Sequence, residues 1–145
     1  MADEYRTFEE FWPFYVREHS HPVNRALHFV GTSAAMALVA SAVLLRRPKL
    51  ALLAPLAGYG FAWVGHFGIE KNKPATFKYP AWSLRADFVM WSKIVTGQMG
   101  AEIEKAWAIH EAEQRAREET AARDEQTAAN GVPTASGEVV AYDAE

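Results

Sequence analysis

Ala26 to Leu45 reads ALHFVGTSAAMALVASAVLL, and Leu50 to Ile69 reads LALLAPLAGYGFAWVGHFGI; neither stretch of 20 residues carries a formal charge. About 20 mostly apolar residues is the length a helix needs to cross the hydrocarbon core of a bilayer. Small residues recur in both (Gly31, Ser33, Ala34, Ala35, Ser41, Gly58 and Gly60), as close helix contact in lipid requires. The connection between them is only Arg46-Arg47-Pro48-Lys49, so the second helix must turn back along the first. The sequence therefore predicts an all-α membrane protein built on an antiparallel transmembrane helical hairpin. The competing reading is a pair of buried helices in a soluble bundle. It needs a surrounding shell of amphipathic helices, for which the rest of the chain is short. The three cations of the turn would normally mark a cytoplasmic loop. Arg25, Lys71, Lys73, Lys78 and Arg85 lie near the other end and cancel that bias.

At 145 residues the chain has room for one domain, and its formal net charge of −3 hides an asymmetry. Residues 1–100 are net +4 and residues 101–145 net −7, which separates a mildly basic apolar body from an acidic end. No cysteine is present; disulfide frameworks, thiolate metal sites and thiol catalysis are excluded. The charge is too low for a nucleic-acid footprint, so no nucleic-acid partner is expected. The acidic start (Asp3, Glu4) and the late first apolar run do not read as a cleavable signal peptide. An integral-membrane location follows, in the inner membrane of a bacterium or the endoplasmic reticulum of a eukaryote.

Outward from the hairpin, Thr7 with Glu10 fits a capping box ahead of Phe8, Phe11, Trp12 and Tyr15. This aromatic stripe predicts an interfacial helix that Pro13 kinks or ends. Residues 70–80 (EKNKPATFKYP) read as a loop, with Tyr79 and Trp82 as interface anchors. Ser83 to Val95 reads as a helix lying against the hairpin or in the interface. Gly97 and Gly100 break the pattern. A solvated charged helix is expected over 101–126, weakly docked by Ile103 and Trp107 and carrying His110 as a solvated residue. A disordered acidic tail is expected over 127–145. Residues 1–100 then form the membrane-embedded domain, with spans at about 26–45 and 50–69.

The polar residues inside this frame converge. His28 and His66 lie almost equally far from the turn, so an antiparallel hairpin sets them level to within about 1.5 Å. His21, Asn24 and His28 share a helical face if the helix starts at Pro22, and His66 and Glu70 share another. Ionisable groups gathered at the end of a span are candidates for function. Imidazoles with one carboxylate match the ligand set of non-haem Fe(II) sites and also suit zinc. The bland alternative is a set of hydrogen-bonding anchors. There is no H-E-x-x-H, phosphate loop or G-x-S-x-G elbow, and five histidines are too few for the repeated boxes of desaturases.

Two ordered motifs carry a resemblance. One is Tyr15-x3-His19-x-His21-Pro22-x-Asn24-Arg25-x2-His28-x2-Gly31-Thr32. The other runs Gly65-His66-x3-Glu70-Lys71-Asn72-Lys73-Pro74-Ala75-Thr76, then Tyr79-Pro80-x-Trp82-Ser83-Leu84-x2-Asp87. Over roughly residues 5–100 the chain resembles the family, formerly of unknown function, of the yeast-type 2-hydroxy fatty acid dioxygenase of phytosphingosine breakdown. The resemblance implies an Fe(II)-dependent, O2-using membrane enzyme of lipid α-oxidation that shortens a 2-hydroxy fatty acid by one carbon. It implies His19, His28 and His66 as iron ligands, with His21 as a further candidate. In that frame His28 and His66 are the primary ligands, and Glu70 with His19 or His21 completes the set. Asn24 and Asp87 orient ligands, and Arg25 or Lys73 pairs with the substrate carboxylate. The acyl chain lies along the hairpin, and the helix at Ser83 or a second protomer of a homo-oligomer completes the pocket. Two other readings compete: a non-enzymatic membrane protein with a structural polar cap, and a zinc-dependent lipid hydrolase.

Overall fold

The computed structural model describes residues 5–129, and every regular element among them is helical. Helix α1 spans Phe8–Glu18. Thr7 Oγ1 accepts the Glu10 N–H at 3.2 Å, and the Glu10 carboxylate returns to the Arg6 N–H at 2.9 Å, one residue earlier than a capping box places it. Pro13 does not end α1, which runs on to Glu18; of the two expected effects, an ending is therefore overturned. A proline inside a helix costs about 3 kcal/mol. Burial of Phe11, Tyr15 and Val16 on one face of the same helix offsets it, at about 1.5–3 kcal/mol for each large apolar side chain.

That burial turns part of the aromatic stripe inward, against the rest of the chain. Phe11 and Tyr15 are core residues, packed with Ala86, Met90 and Met99. Tyr79 and Trp82, read as interface anchors, stack on each other at 5.4 Å. They pack on Phe11 with ring centroids 5.3 and 5.6 Å away.

Helix α2 spans Pro22–Leu44, with Pro22 in its first turn and His21 as its cap. The chain reverses through Arg46, which is left-handed (φ 55). The second apolar stretch, expected as one α-helix, is wound in three ways: a 3₁₀ segment Pro48–Leu53, helix α3 Ala54–Trp63 and a π-helical segment Val64–Glu70. Pro55 accounts for the first change. It has no N–H for the Ala51 carbonyl, so the chain before it takes the tighter winding.

Pro22–Leu44 and Pro48–Glu70 are each long and apolar enough to cross a membrane, yet only 22 % of either apolar window is buried. Core helices of a soluble bundle would be mostly covered. Here Val43, Leu44, Leu52 and Leu56 are all more than 70 % exposed.

Helix α4 spans Pro80–Val95 and crosses α2, where Trp91 stacks on Phe29 at 6.0 Å and its Nε1–H donates to Ser33 at 2.9 Å. Gly97 (φ 69) ends that run, and α5 spans Met99–Ala129. Glu102 ties the start of α5 to α4 through Lys93 at 2.7 Å and to α1 through the Trp12 Nε1–H at 2.9 Å. Among the described residues, 5–107 form one compact unit, and the remainder of α5 from Ala108 belongs to a second. The charged helix is therefore longer than the expected 101–126 and takes in three residues of the expected tail. Residues 130–145 of that tail lie outside the described residues.

Candidate metal centre

Three helix ends place three histidines together. His19 caps the C-terminus of α1, His28 lies in the second turn of α2, and His66 lies in the π segment. Their exposures are 0, 5 and 2 %. Ring centroids are 4.4 Å apart for His19–His28, 4.6 Å for His19–His66 and 5.1 Å for His28–His66. One ligand atom from each lies within 4.8 Å of the others.

Each Nδ1 is already engaged. His19 Nδ1 lies 2.6 Å from the Tyr15 carbonyl, His28 Nδ1 2.7 Å from the Asp87 carboxylate, and His66 Nδ1 2.7 Å from Asn72 Oδ1. All three partners are acceptors, so each Nδ1 carries the proton and donates it. The orientation of the Asn72 amide is fixed by its other end, where Nδ2 donates to the Glu18 carbonyl at 3.0 Å and the Glu18 carboxylate at 2.9 Å. The three Nε2 lone pairs are left facing inward, with His19 and His28 Nε2 only 3.2 Å apart. Buried lone pairs that face one another without a donor are unfavourable until a cation sits between them. The donor set thus fits a metal, and it is held as ligating histidines usually are, with the far ring nitrogen bonded to an oxygen acceptor.

Local geometry makes this arrangement. The π winding and the left-handed Lys71 (φ 56) after it swing the chain back, so that the Asn72 N–H reaches the His66 carbonyl at 3.1 Å. The Asn72 side chain then meets the His66 ring. Isolated π turns recur at functional sites. Asn24, fully buried, abuts Gly65, where any Cβ would collide with the Asn24 side chain. Only glycine allows α2 this close to the π segment.

Electrostatics keep the surroundings in the required states. Burial first, then His28 and His66, hold His19 well below the ordinary imidazole range, so it stays a neutral lone-pair donor. Burial, then the Asp87 charge, pushes the Tyr15 hydroxyl well above its ordinary value; it remains a donor and bonds to Asp87. Burial likewise raises Glu18.

The other expected site residues fall elsewhere. His21 is exposed, and its Nδ1 accepts the Val23 N–H at 3.2 Å as the cap of α2. Glu70 accepts the His21 backbone N–H at 2.6 Å and the Asn24 amide at 3.4 Å. Neither joins the cluster, which is three imidazoles without a carboxylate. Arg25 donates to the His19 and Ser20 carbonyls at 2.9 and 2.5 Å, pinning the α1–α2 connection. Lys73 is exposed. Asp87, carried by α4, meets the His28 ring of the same chain. Sequence reasoning assigned no role to Asn72, Tyr15 or Glu18. The signal for Asn72 was faint, because a contact from i to i+6 needs a non-α turn.

An apolar groove of about 610 Å³ begins at His28 and Asp87 and runs between α2, the second span and α4; no lysine or arginine among the described residues lines it.

In a helical hairpin, a buried cluster of three histidines that could hold a metal ion thus stands beside an apolar groove, with His28 common to both. Residues 5–99 match the Mpo1-like family, described as 2-hydroxy-palmitic acid dioxygenase Mpo1-like, and the chain belongs to that family. No curated protein and no solved structure matches the chain.

Proposed function

We propose that this protein is a membrane-embedded, Fe(II)-dependent dioxygenase that shortens 2-hydroxy fatty acids by one carbon. The carrying observation is the convergence of three Nε2 lone pairs, each histidine oriented through its Nδ1, at the head of an apolar groove. Atoms balance with O2 as the oxidant: the 2-hydroxy acid and O2 give the acid one carbon shorter, CO2 and water.

Iron on His19, His28 and His66 would supply Lewis-acid and redox chemistry. The protein's own residues do the rest. No lysine or arginine among the described residues lines the groove, so a metal ion held by the cluster would be the positive partner for the substrate's carboxylate. His19, His28 and His66 would hold the metal and would leave it free to take a 2-hydroxy carboxylate, as open catalytic sites do. Asp87 and Asn72 hold two rings in register, and the Tyr15 carbonyl holds the third. The groove takes the tail away from water, and the exposed apolar faces of both spans suit insertion in a lipid bilayer.

The test is metal analysis of anaerobically purified protein, followed by oxygen uptake with 2-hydroxypalmitic acid. About one iron per chain and a product one carbon shorter are expected. Stoichiometric zinc with ester or amide hydrolysis and no oxygen uptake would establish the hydrolase reading instead. No metal and no turnover would leave a structural polar cap.

A further inference from the structure

We propose that the groove is a chain-length gauge, with Gly58 at its middle and Ala40 and Ala51 at its far end setting the longest acyl chain accepted; this rests on the dioxygenase reading above. The groove begins at the cluster and extends along α2 from His28 to Ala40, about 18 Å at 1.5 Å per residue. Its volume of about 610 Å³ falls in the usual range for small-molecule sites.

Five of the positions that these helices give to the groove are small, set among the larger Met36, Val39 and Tyr59. Ala35, Ala40, Ala51, Ala54 and Gly58 line the groove. Val43, Leu44, Leu52 and Leu56 stand outside it, heavily exposed. If the hairpin were simply packed shut, the large residues would fill this space. Gly58 supplies an independent mark: a Cβ built there meets nothing within 4 Å, and its backbone is not left-handed. A larger side chain at Gly58 can therefore enter the groove without disturbing the backbone. The Gly58 carbonyl lies beside Gly31, which puts the plug one to two turns beyond His28. Ala51 sits near the turn end of the second span and would plug only the last part.

An acyl chain is the occupant that this geometry selects. The lining is mostly apolar; its polar side chains are His28 and Asp87 at the head and the hydroxyl-bearing Thr32 and Tyr59 further along. A rigid polar ligand would leave its polar groups unpaired along the walls.

The test uses the full chain in lipid nanodiscs, comparing 2-hydroxypalmitic and 2-hydroxyoctanoic acids. Ala51→Phe is expected to lower kcat/KM for the long acid at least about tenfold, as lost or blocked methylene sites do, and to leave the short acid within about twofold. Gly58→Leu is expected to impair the long acid more severely than Ala51→Phe. An unchanged ratio of the two acids in both variants would mean that the tail leaves the groove for the bilayer, and would overturn the gauge.

A second readout does not depend on turnover. A 2-hydroxypalmitic acid carrying a diazirine at its terminal carbon should crosslink to Val39, Ala40, Ala51 and Ala54, which line the groove, in the wild type and lose those crosslinks in Gly58→Leu. Crosslinks there without oxidation of any 2-hydroxy acid would retain the groove as an acyl site and remove the dioxygenase reading. Oxidation with crosslinks spread over Val43, Leu52 and Leu56 would do the reverse.

Discussion

His28 Nδ1 lies 2.7 Å from the Asp87 carboxylate, across 59 residues of sequence. The same carboxylate accepts the Tyr15 hydroxyl, so one side chain of α4 fixes a ring on α2 and a phenol on α1. Tyr15 also bonds His19 through its carbonyl and stacks on the His19 ring at 4.0 Å. Two of the three histidines are thus oriented by a single Tyr15–Asp87 unit, and the third by Asn72. The cluster is not a property of the hairpin alone; α1 and α4 have to be docked before its nitrogens converge.

Replacing Asp87 by Asn keeps the shape and removes the charge that His28 donates to. Metal affinity is expected to fall about 10–100-fold, the usual cost of losing a partner behind a ligating histidine. Asp87→Ala should also lower stability by about 1–3 kcal/mol, because it leaves the buried Tyr15 hydroxyl without an acceptor. Competition against a calibrated chelator reads the first effect and thermal unfolding in detergent the second. Unchanged metal affinity in both variants would remove Asp87 from the centre.

The ligand set separates the histidines sharply. His19→Ala, His28→Ala and His66→Ala should each abolish stoichiometric metal. His21→Ala and Glu70→Gln should retain it, since neither side chain enters the cluster. Elemental analysis of the five variants, prepared side by side, decides this. Retained metal in any of the first three, or its loss in His21→Ala with the fold intact, would redraw the site.

The level placement of His28 and His66 was legible because it follows from counting residues to a tight turn, and counting survives local irregularity. His19 was legible from its place just upstream of the hairpin only as a neighbour of the pocket, and as a ligand through the family resemblance, since it lies on a different helix whose docking no periodicity reveals. His21 and Glu70 were placed in the ligand set because their spacing shares a helical face with His28 and His66. The structure assigns His21 instead to the cap of α2, where a side chain folds onto its own helix. The fate of the aromatic stripe was hidden for a related reason. Phe11 and Tyr15 look the same in sequence whether they face lipid headgroups or α4, and only the partner at Ala86 and Met90 distinguishes them. The π segment was invisible because Val64–Glu70 has no composition that separates it from an α-helix.

Gly65 and Gly68 sit three residues apart in that segment and should behave oppositely. A methyl at Gly65 runs into the buried Asn24 side chain, whereas one at Gly68 meets nothing within 4 Å. Gly65→Ala is expected to destabilise by about 1–3 kcal/mol, as overpacking does, and to disturb His66 next to it. Gly68→Ala should be neutral or slightly stabilising. Thermal unfolding with parallel metal analysis tests the pair, and equal behaviour of the two would show that α2 does not approach the π segment as described.

Glu102 provides a pH-dependent clamp away from the centre. Its hydrogen bond to Lys93 first, then that to Trp12, holds its carboxyl below the ordinary value. A depressed carboxylate contributes stability that is full above the unfolded-state pKa and is lost as pH falls through the lower folded-state value. Glu102→Gln should therefore unfold more easily than the wild type near neutral pH, by a modest margin for a pair near the surface. The difference should shrink on acidification below the ordinary glutamate range. Melting curves of both proteins from neutral pH down to about 3.5 measure it. A gap that stays constant or widens toward acid would mean that the Glu102 charge does not hold α5 to α1 and α4.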